Sequence, residues 1–509
     1  MANFSSLKIL DLCENSFTGS IPPYIGALSS LKALLLYSNQ LNGTLPIREM
    51  CALKKLEELD LGCNNFEGIL PPCLTNLTSR RLLDISYNRF SGNMSLSLVA
   101  NWTSLEYIDL SYNLFEGLFS FSLFANHPKL KVIQFLSDNN KLDIKTENPS
   151  WDPSFQLKVL VLSNCSLNIP TGNIPKFLFD QHELEVVNIS HSKLNRSFPI
   201  WLLENNTRLQ LLNLQSNSFA GQFHLPSYRS MDLRWLDVSN NNLDGQLQEN
   251  IGKIIPKLEY LNLSRYYFEG NFPSSIGDFS HLEKLDLSFN NFSGEVPTEL
   301  VANCTRLDIL WLSNNNFHGE IFSKNFILSL TFLKLNNNYF TGILPVVRLT
   351  VQYLDISNNH MSGIIPIWMV NNSDIEIVDL SNNFFEGEIP CGLVTFDTLD
   401  LSHNLLSGLL PSCLNLENVR HLLLRGNNLT GSLPKAVLNS SLLEMLDMRD
   451  NSFSGNIPKE IDRLSNLKVL LLSGNQFSGM IPKQLCWLNN IGIMDLSRNF
   501  FSGTIPYCF

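Results

Sequence analysis

The sequence predicts an α/β-type repeat solenoid, with a parallel β-sheet on its concave side and a mostly irregular or 3-10 helical convex side. The first observation is a segment, LEKLDLSFNNFSGEVP at residues 282–297, that recurs about 21 times at a period of about 24 residues. The second is an Asn that most copies share, with Gly four residues later in 18 of them. The third is that one copy cannot bury its own apolar side, so the copies must stack.

Each position of the repeat has a structural reason. Leu285 and Leu287 alternate with polar residues, which is the pattern of a short strand with one buried face. Asn290 carries an amide that both donates and accepts, so it can satisfy backbone groups where the chain leaves the strand. Gly294 permits a positive φ at the turn, and Pro297 fixes φ without leaving an N–H unpaired.

Three consecutive repeats depart from this pattern. Asp138, Cys165 and Ser192 take the place of the shared Asn, and Cys165 is interpreted as a structural substitute for it. The polar segment 139–155 contains turn residues and charges, so it predicts a surface loop. Such a loop is either a tolerated insertion or a segment that contacts a partner. The irregular part of the array covers about residues 138–200.

The pattern continues on both sides of that part, so we predict one solenoid over residues 1–509. No cap, signal peptide or membrane span is recognised. The first residues already lie inside a repeat, the last lie in mid-repeat, and no apolar run approaches 18 residues. We therefore expect a fragment of a longer protein. The net charge of −11 argues against nucleic acid or an anionic membrane surface as the main partner.

Three cysteine pairs share one spacing of 22 residues, and their first members occupy the same position relative to the shared Asn. The pairs are Cys51 with Cys73, Cys391 with Cys413, and Cys486 with Cys508. A separation just short of one repeat places both cysteines side by side on adjacent laps of the chain. Strands about 4.8 Å apart suit the geometry of a disulfide. We predict three disulfides, with free buried thiols as the alternative.

Sequons for N-glycosylation are dense, although a single sequon in a chain rich in Asn, Ser and Thr is a weak indication. Together with the disulfide geometry, they indicate an oxidising, secretory route. The candidate glycosylation sites are Asn42, Asn76, Asn101, Asn205, Asn303, Asn371 and Asn439.

Several motifs carry a resemblance to a known family. Segments 362–366, 454–458 and 502–506 read Ser-Gly-x-Ile-Pro after the shared Asn, which resembles the plant class of leucine-rich repeats. Segments 50–74 and 140–167, with the motifs MCALKKL, LPPCL and LSNCSL, are similar to the kinase-less receptor-like proteins of plants. The likeness covers essentially the whole chain. It implies a leucine-rich-repeat horseshoe or superhelix.

The resemblance also implies a function. In that family the intact protein sits on the extracellular face of the plasma membrane, through segments that are missing from this chain. It senses an extracellular peptide, protein or microbial ligand and signals through adaptor and co-receptor kinases in immunity or development. One alternative is a secreted inhibitor of pathogen cell-wall hydrolases, although the similar polygalacturonase-inhibiting proteins are much shorter arrays. Another alternative is the ectodomain of a leucine-rich-repeat receptor kinase.

The sequence carries no catalytic motif that we recognise. It lacks G-x-S-x-G, H-E-x-x-H, a P-loop and G-x-G-x-x-G, and its nine His form no cluster with ligand spacing. We expect no enzyme activity, no cofactor and no metal. The sheet of a solenoid instead offers a long surface, and its outward residues would carry specificity.

The outward positions mostly repeat Asp and Ser, as in Asp286 and Ser288, so departures from that default are informative. Aromatic residues and Arg dominate binding hot spots. The departures predict a ligand-binding strip of Trp235, Tyr260, Arg265, Phe289, Trp311 and Lys334. They also predict a second, basic patch of Arg420, His421, Arg425 and Arg449. The alternatives are rings that merely pack on neighbouring repeats, and a basic face that is merely solvated.

Overall fold

The computed structural model describes residues 4–71, 73–74, 79–93, 99–137, 141–147, 153–226, 231–322, 330–346, 349–369, 375–391, 397–414 and 416–509. Asp138, the sequons at Asn76 and Asn371, and parts of segment 139–155 lie outside the described residues. The chain divides into two compact units, Met1–Gly245 and Gln246–Phe509, and each is described by itself. The single solenoid over residues 1–509 stays a prediction.

In the first unit, each repeat contributes one short strand to a parallel sheet. Leu34, for example, pairs in register with Leu10 on one side and with Leu59 on the other. The strands of this sheet in the first unit are Ile9–Asp11, Ala33–Leu35, Glu58–Asp60, Leu82–Asp84, Tyr107–Asp109, Val132–Leu136, Val159–Ser163, Val186–Asn188, Leu211–Asn213 and Trp235–Asp237.

The second unit repeats the arrangement. The middle residue of each strand points into the core, as Leu285 and Leu310 do with no exposed surface, while the first and third residues face outward. We call this outward surface the strand face. The strands are Tyr260–Asn262, Lys284–Asp286, Ile309–Trp311, Phe332–Lys334, Tyr353–Asp355, Ile377–Asp379, Thr398–Asp400, His421–Leu423, Met445–Asp447, Val469–Leu471 and Ile493–Asp495.

Most repeats add a further strand directly after the shared Asn, which the sequence did not predict. In the first unit these strands are Thr18–Gly19, Gln40–Thr44, Asn65–Gly68, Arg89–Asn93, Leu114–Ser120, Leu142–Lys145, Ser166–Leu167, Ala220–Gln222 and Asn242–Gly245. In the second unit they are Tyr267–Asn271, Asn291–Glu295, Asn316–Glu320, Tyr339–Thr341, Ser362–Ile364, Phe384–Gly387, Leu405–Leu409, Asn428–Gly431, Ser452–Gly455, Gln476–Gly479 and Phe500–Phe501. Their Gly predicts only a turn, because pairing with the next repeat is not visible in one repeat.

Short helices complete many of the repeats, and with the parallel strands they confirm the predicted fold class. The 3-10 helices are Pro23–Ala27, Phe121–Phe124, Lys176–Asp180, Ser274–Asp278, Ile367–Met369, Lys459–Arg463 and Lys483–Trp487. The α-helices are Ile47–Ala52, Ile200–Asn205, Ile251–Ile254, Thr298–Asn303 and Lys435–Leu438. Most of them follow a Pro at the N-cap position, where its ring fixes φ and no N–H is left unpaired.

The shared Asn joins neighbouring repeats through its side-chain amide. The Nδ2 of Asn315 donates to the carbonyl of Leu287 in the preceding repeat at 2.9 Å, and to Leu312 O at 3.1 Å. Its Oδ1 accepts the backbone N–H of Phe292 at 3.0 Å. One buried side chain thus satisfies backbone groups of two repeats, which would otherwise cost about 1–3 kcal/mol each.

Phe side chains in the core stack from one repeat to the next. Phe268, Phe292, Phe317 and Phe340 stack along the core of the second unit, with ring centroids 5.9, 6.0 and 6.1 Å apart. Gly294 lies at φ +79°, and a Cβ there would come within 2.6 Å of the Oδ1 of a neighbouring Asn. Because the repeats approach this closely, a larger residue at the Gly position needs a different local backbone.

Two substitutes for the shared Asn keep part of its bonding. The Sγ of Cys165 lies 3.5 Å from Phe135 O, and the Oγ of Ser192 donates to Leu162 O at 2.8 Å. Each therefore reaches the carbonyl of the preceding repeat that an Asn would reach. The interpretation of Cys165 as a structural substitute agrees with these contacts.

The structure contains all three disulfides. The Cα atoms are 5.7 Å apart in Cys51–Cys73, 5.5 Å in Cys391–Cys413 and 5.7 Å in Cys486–Cys508. Cys165 and Cys304 are buried free thiols, and burial raises the pKa of each to about 12. These two thiols are therefore protonated at neutral pH and contribute to packing.

Arg80 is an unfavourable residue in the core of the first unit. It replaces the first Leu of its repeat and is fully buried, and among the described residues none of its guanidinium nitrogens has a hydrogen-bond partner. Burial lowers its pKa to about 10. The ring of Trp102, 5.7 Å from the guanidinium carbon, supplies a cation–π contact that offsets part of the desolvation cost.

We therefore expect Arg80→Leu to stabilise the first unit by about 1–3 kcal/mol, because it removes a buried unpaired charge and restores the repeat. Thermal denaturation followed by circular dichroism measures the change. The matched control is Arg81→Leu, which removes an exposed cation 3.1 Å from Glu106 and should lower stability slightly or not at all. A lower melting temperature for Arg80→Leu would show that the guanidinium is satisfied in solution.

Candidate functional site

The default residues of the strand face bond to each other rather than to solvent. The Oδ1 of Asp286 accepts the backbone N–H of Ser288 at 3.0 Å and its hydroxyl at 2.6 Å. Both residues are buried, with 5% and 8% of their surface exposed. The same Asp–Ser pairing recurs at Asp379 and Ser381. A repeat with the default residues therefore presents few free groups, and departures from the default decide what this face can bind.

One set of departures forms a continuous row in the second unit. Five consecutive strands bring Tyr260, Lys284, Trp311, Lys334 and Tyr353 together, and we call these five residues the lysine–aromatic row. The Nζ of Lys284 lies 5.0 Å from the ring of Tyr260 and 4.5 Å from that of Trp311. The Nζ of Lys334 lies 5.1 Å from the ring of Trp311 and 4.6 Å from that of Tyr353. Each ammonium therefore lies between two aromatic rings.

The two lysines of the row keep their charge available. Elsewhere, lysines near the sheet pair with carboxylates, as Lys468 does with Glu444 at 2.6 Å and Lys158 with Glu185 at 2.8 Å. Within the described ranges, neither Lys284 nor Lys334 has such an ion pair. The aromatic faces hold the two ammonium groups in place without neutralising them, and the remaining N–H donors can meet a ligand.

Trp311 occupies the centre of the row. Its strand partners in register are Asp286 and Lys334. Its indole Nε1 has no exposed surface and no hydrogen-bond partner in the described part of the chain, although the residue is only half-buried. The ring therefore packs on its neighbours and also offers surface.

The other members of the predicted strip are not among the five residues of the row. Arg265 and Phe289 are exposed on the turns after their strands, at φ +63° and +57°, and the guanidinium carbon lies 5.2 Å from the ring centroid. They form a pair of their own. Trp235 begins a strand of the first unit, where it pairs in register with Leu211 and is 39% exposed.

Each arginine of the basic patch is paired with a neighbouring carboxylate. The Nε of Arg420 lies 3.2 Å from Asp397, and the Nε of Arg425 lies 3.0 Å from Asp450. Arg449 binds Asp447 with two nitrogens, at 2.9 and 2.6 Å. Nδ1 of the remaining member, His421, lies 3.0 Å from the hydroxyl of Thr398. Because the three arginines already have carboxylate partners, this patch offers less unpaired charge than the sequence suggests.

The sequence did not single out Lys284 and Tyr353. Both are the first residue of their strand, six positions before the shared Asn, whereas Trp311 and Lys334 are third residues. Tyr260, which the sequence did single out, is also a first strand residue. The signal that could have found Lys284 and Tyr353 is therefore the position that they share with Tyr260.

The strand face of the first unit carries a run of the default Asp, as the second unit does at Asp355, Asp379 and Asp400. Asp60, Asp84 and Asp109 follow one another in register on three strands. Burial raises the pKa of Asp60 and of Asp109 to about 6, and neighbouring carboxylates add to the rise. The hydroxyl of Tyr107 donates to Asp84 at 3.2 Å. This part of the face is acidic, and Asp60 and Asp109 titrate near pH 6.

In the described residues, no group of three or more His, Cys, Asp or Glu side chains is placed to hold a metal ion. No helix in the same residues has both the length and the apolar composition to cross a bilayer.

Comparison with known proteins identifies repeats and relatives. The family model described as Leucine Rich Repeat matches residues 6–28, 55–77, 232–254, 281–302, 350–372, 395–416, 418–440, 442–464 and 466–488. Cuscuta receptor 1 of Solanum lycopersicum is 42% identical over 325 residues, which are 64% of this chain and 28% of that protein. Receptor-like protein 9b of Arabidopsis thaliana is 40% identical over 217 residues, 42% of this chain and 22% of that protein. The chain spans about a quarter of the length of these relatives.

Solved structures match over nearly the whole chain. The Arabidopsis receptor kinase HAESA, in complex with the peptide hormone IDA and the co-receptor SERK1, is 30% identical with a TM-score of 0.84. That match covers 99% of this chain and 85% of the HAESA chain. The PEPR1–AtPEP1 structure is 25% identical with a TM-score of 0.80, and the match covers 98% of this chain and 73% of that one.

The raised pKa values of Asp60 and Asp109 predict a pH dependence of stability. The folded state binds these protons more tightly than the unfolded state, where a carboxyl has a pKa of about 3.9. Their stabilisation is therefore fully present below about pH 4 and is lost as the pH rises through about 6. We expect amide protection in Glu58–Asp60 and Tyr107–Asp109 to fall over this range, measured by hydrogen exchange corrected for the intrinsic rate.

The double variant Asp60→Asn, Asp109→Asn should lose most of that pH dependence. The control is Asp495→Asn in the second unit, because hydrogen bonds from Ser497 lower the pKa of Asp495. This control should leave the first unit unchanged. An unaltered pH profile in the double variant would contradict the assignment to these two carboxyls.

Proposed function

Because this chain belongs to the leucine-rich-repeat family of plant receptor ectodomains, we propose that it binds an extracellular peptide or protein ligand on the strand face of its second unit. The observation that carries the proposal is the lysine–aromatic row. Its two ammonium groups have no carboxylate partner among the described residues, and its three rings are of the kind that dominates binding hot spots.

The dimensions of the row suit an extended peptide. Five strands spaced about 4.8 Å apart extend over about 19 Å, which is the length of roughly six residues of extended chain. A peptide that crosses the strands would meet rings and ammonium groups alternately. The rings would bury its apolar side chains, and the ammonium groups would favour acidic groups or carbonyl oxygens.

The similar proteins also support a proposal for the role of the whole protein. The matched HAESA structure is a complex with a peptide hormone and a co-receptor. We propose that the intact protein is a receptor-like protein on the extracellular face of the plasma membrane. It senses a peptide, protein or microbial ligand for immune or developmental signalling, and it acts through adaptor and co-receptor kinases.

The double variant Trp311→Ala, Lys334→Ala tests the role of the row. It removes the central ring and three of the four cation–π contacts, so we expect affinity to fall by about 100-fold or more. Ligands are first selected with the unmodified chain from a panel of synthetic extracellular peptides and microbial culture proteins. Calorimetry with the selected ligand then gives the affinity of each variant, and the melting temperature shows that folding is kept.

Two control variants separate the row from the predicted basic patch. Arg420→Ala and Arg425→Ala each remove one arginine of that patch. Both should bind the selected ligand with unchanged affinity. Full affinity in the double variant, or loss of affinity only in a control, would place the ligand elsewhere and refute the proposal.

A further inference from the structure

We propose that a recess in the first unit, away from the strand face, binds an anionic carbohydrate of the uronic acid type. The recess lies between the 3-10 helix Lys176–Asp180 and the helix Ile200–Asn205. Its volume is about 300 Å³, the lower end of the range for small-molecule sites. The residues that carry the argument are Asn173, Lys176, Phe179, Arg196, Ser197 and Trp201.

An aromatic pair forms one wall of the recess. The rings of Phe179 and Trp201 stack at 3.9 Å with an angle of 20°, and Phe179 is 48% exposed. Exposed large aromatic residues are costly to solubility and often mark binding surfaces. A flat aromatic surface suits a ligand that has a flat apolar face of its own, such as the C–H face of a pyranose ring.

Two cations stand beside this wall. Arg196 occupies the position that Gly holds in most repeats, which makes it a departure from the repeat at this site. Its Nε donates to Asn173 Oδ1 at 2.6 Å, and its Nη2 donates to Thr171 O at 3.4 Å. Lys176 is exposed, and within the described residues it has no ion pair or hydrogen bond.

A supporting network orients the guanidinium. Glu147 accepts the hydroxyl of Thr171 at 2.7 Å and the amide N–H of Asn173 at 2.6 Å. Each carboxylate oxygen of Glu147 thus accepts one of these hydrogen bonds. Glu147 therefore holds Asn173 and Thr171 in place rather than forming an ion pair with Arg196. Arg196 keeps free N–H donors for a ligand, and preorganisation of this kind lowers the entropy cost of binding.

The combination selects the class of ligand. An acidic peptide would use the cations but would not need a flat aromatic wall, and a neutral sugar would use the wall but not the cations. A uronic acid oligosaccharide has a pyranose face for Phe179 and Trp201 and a carboxylate for Lys176 and Arg196. It also has hydroxyl groups that can bond to the exposed hydroxyl of Ser197.

The test is a titration of the full chain with trigalacturonic acid, followed by tryptophan fluorescence. The protein is first treated with an N-glycosidase, so that a glycan at the neighbouring Asn205 cannot occupy the recess. We expect saturable quenching that is lost in Trp201→Phe. The methyl ester of the same trisaccharide keeps the shape without the charge, and it should bind at least about tenfold more weakly, as loss of a charged hydrogen bond does.

Matched variants test the cations. Lys176→Gln with Arg196→Gln should weaken binding of trigalacturonic acid at least about tenfold. Lys483→Gln should leave it unchanged, because Lys483 also begins a 3-10 helix after a Pro but has Gly503 in place of the arginine. All these side chains are exposed, and the melting temperature checks folding. The proposal is overturned by equal binding of the ester, by no quenching, by an unaffected double variant, or by tighter binding of triglutamate.

Discussion

The amide of one repeated Asn is the interaction on which the rest of the structure depends. Each amide bonds to carbonyl groups of its own repeat and of the preceding one, and accepts an N–H of the preceding repeat, as Asn290 does with Leu287, Leu263 and Phe268. Since a turn leaves backbone groups unpaired inside the core, this side chain replaces the water they lose. It also sets the distance and register between neighbours. The parallel strands, the Phe stacks and the positive-φ Gly all follow that register.

This constraint leaves few positions free to vary. The middle residue of each strand is held by the core, and the default Asp and Ser are held by each other. Function must therefore arise where the first or third strand residue departs from the default, and from the turns. In the second unit such departures build the lysine–aromatic row next to the default run of Asp355, Asp379 and Asp400. A row of cations and rings and a run of acids are thus built on one backbone pattern.

The repeats that break the pattern show how much deviation this backbone accepts. Cys165 and Ser192 keep one bond to the preceding carbonyl, which is enough to continue the sheet there. Arg196 at the Gly position instead turns outward and joins a polar network with Asn173. Arg80 at a Leu position is the costly case, because the described part of the core offers no acceptor for it. Deviations at the edge of a repeat can acquire a role, whereas one in the core costs stability.

The sequence by itself determined the period, the parallel strands, the buried Leu positions and the role of the Asn, because these repeat and their physical reasons are local. It also identified the three cysteine pairs and Tyr260, Trp311 and Lys334. Only the tertiary structure decided which outward residues meet. Lys284 lies between Tyr260 and Trp311 because three strands stack in register, and Arg425 is paired because Asp450 lies one repeat away. Contacts between residues about 25 positions apart depend on stacking geometry, which no single repeat contains.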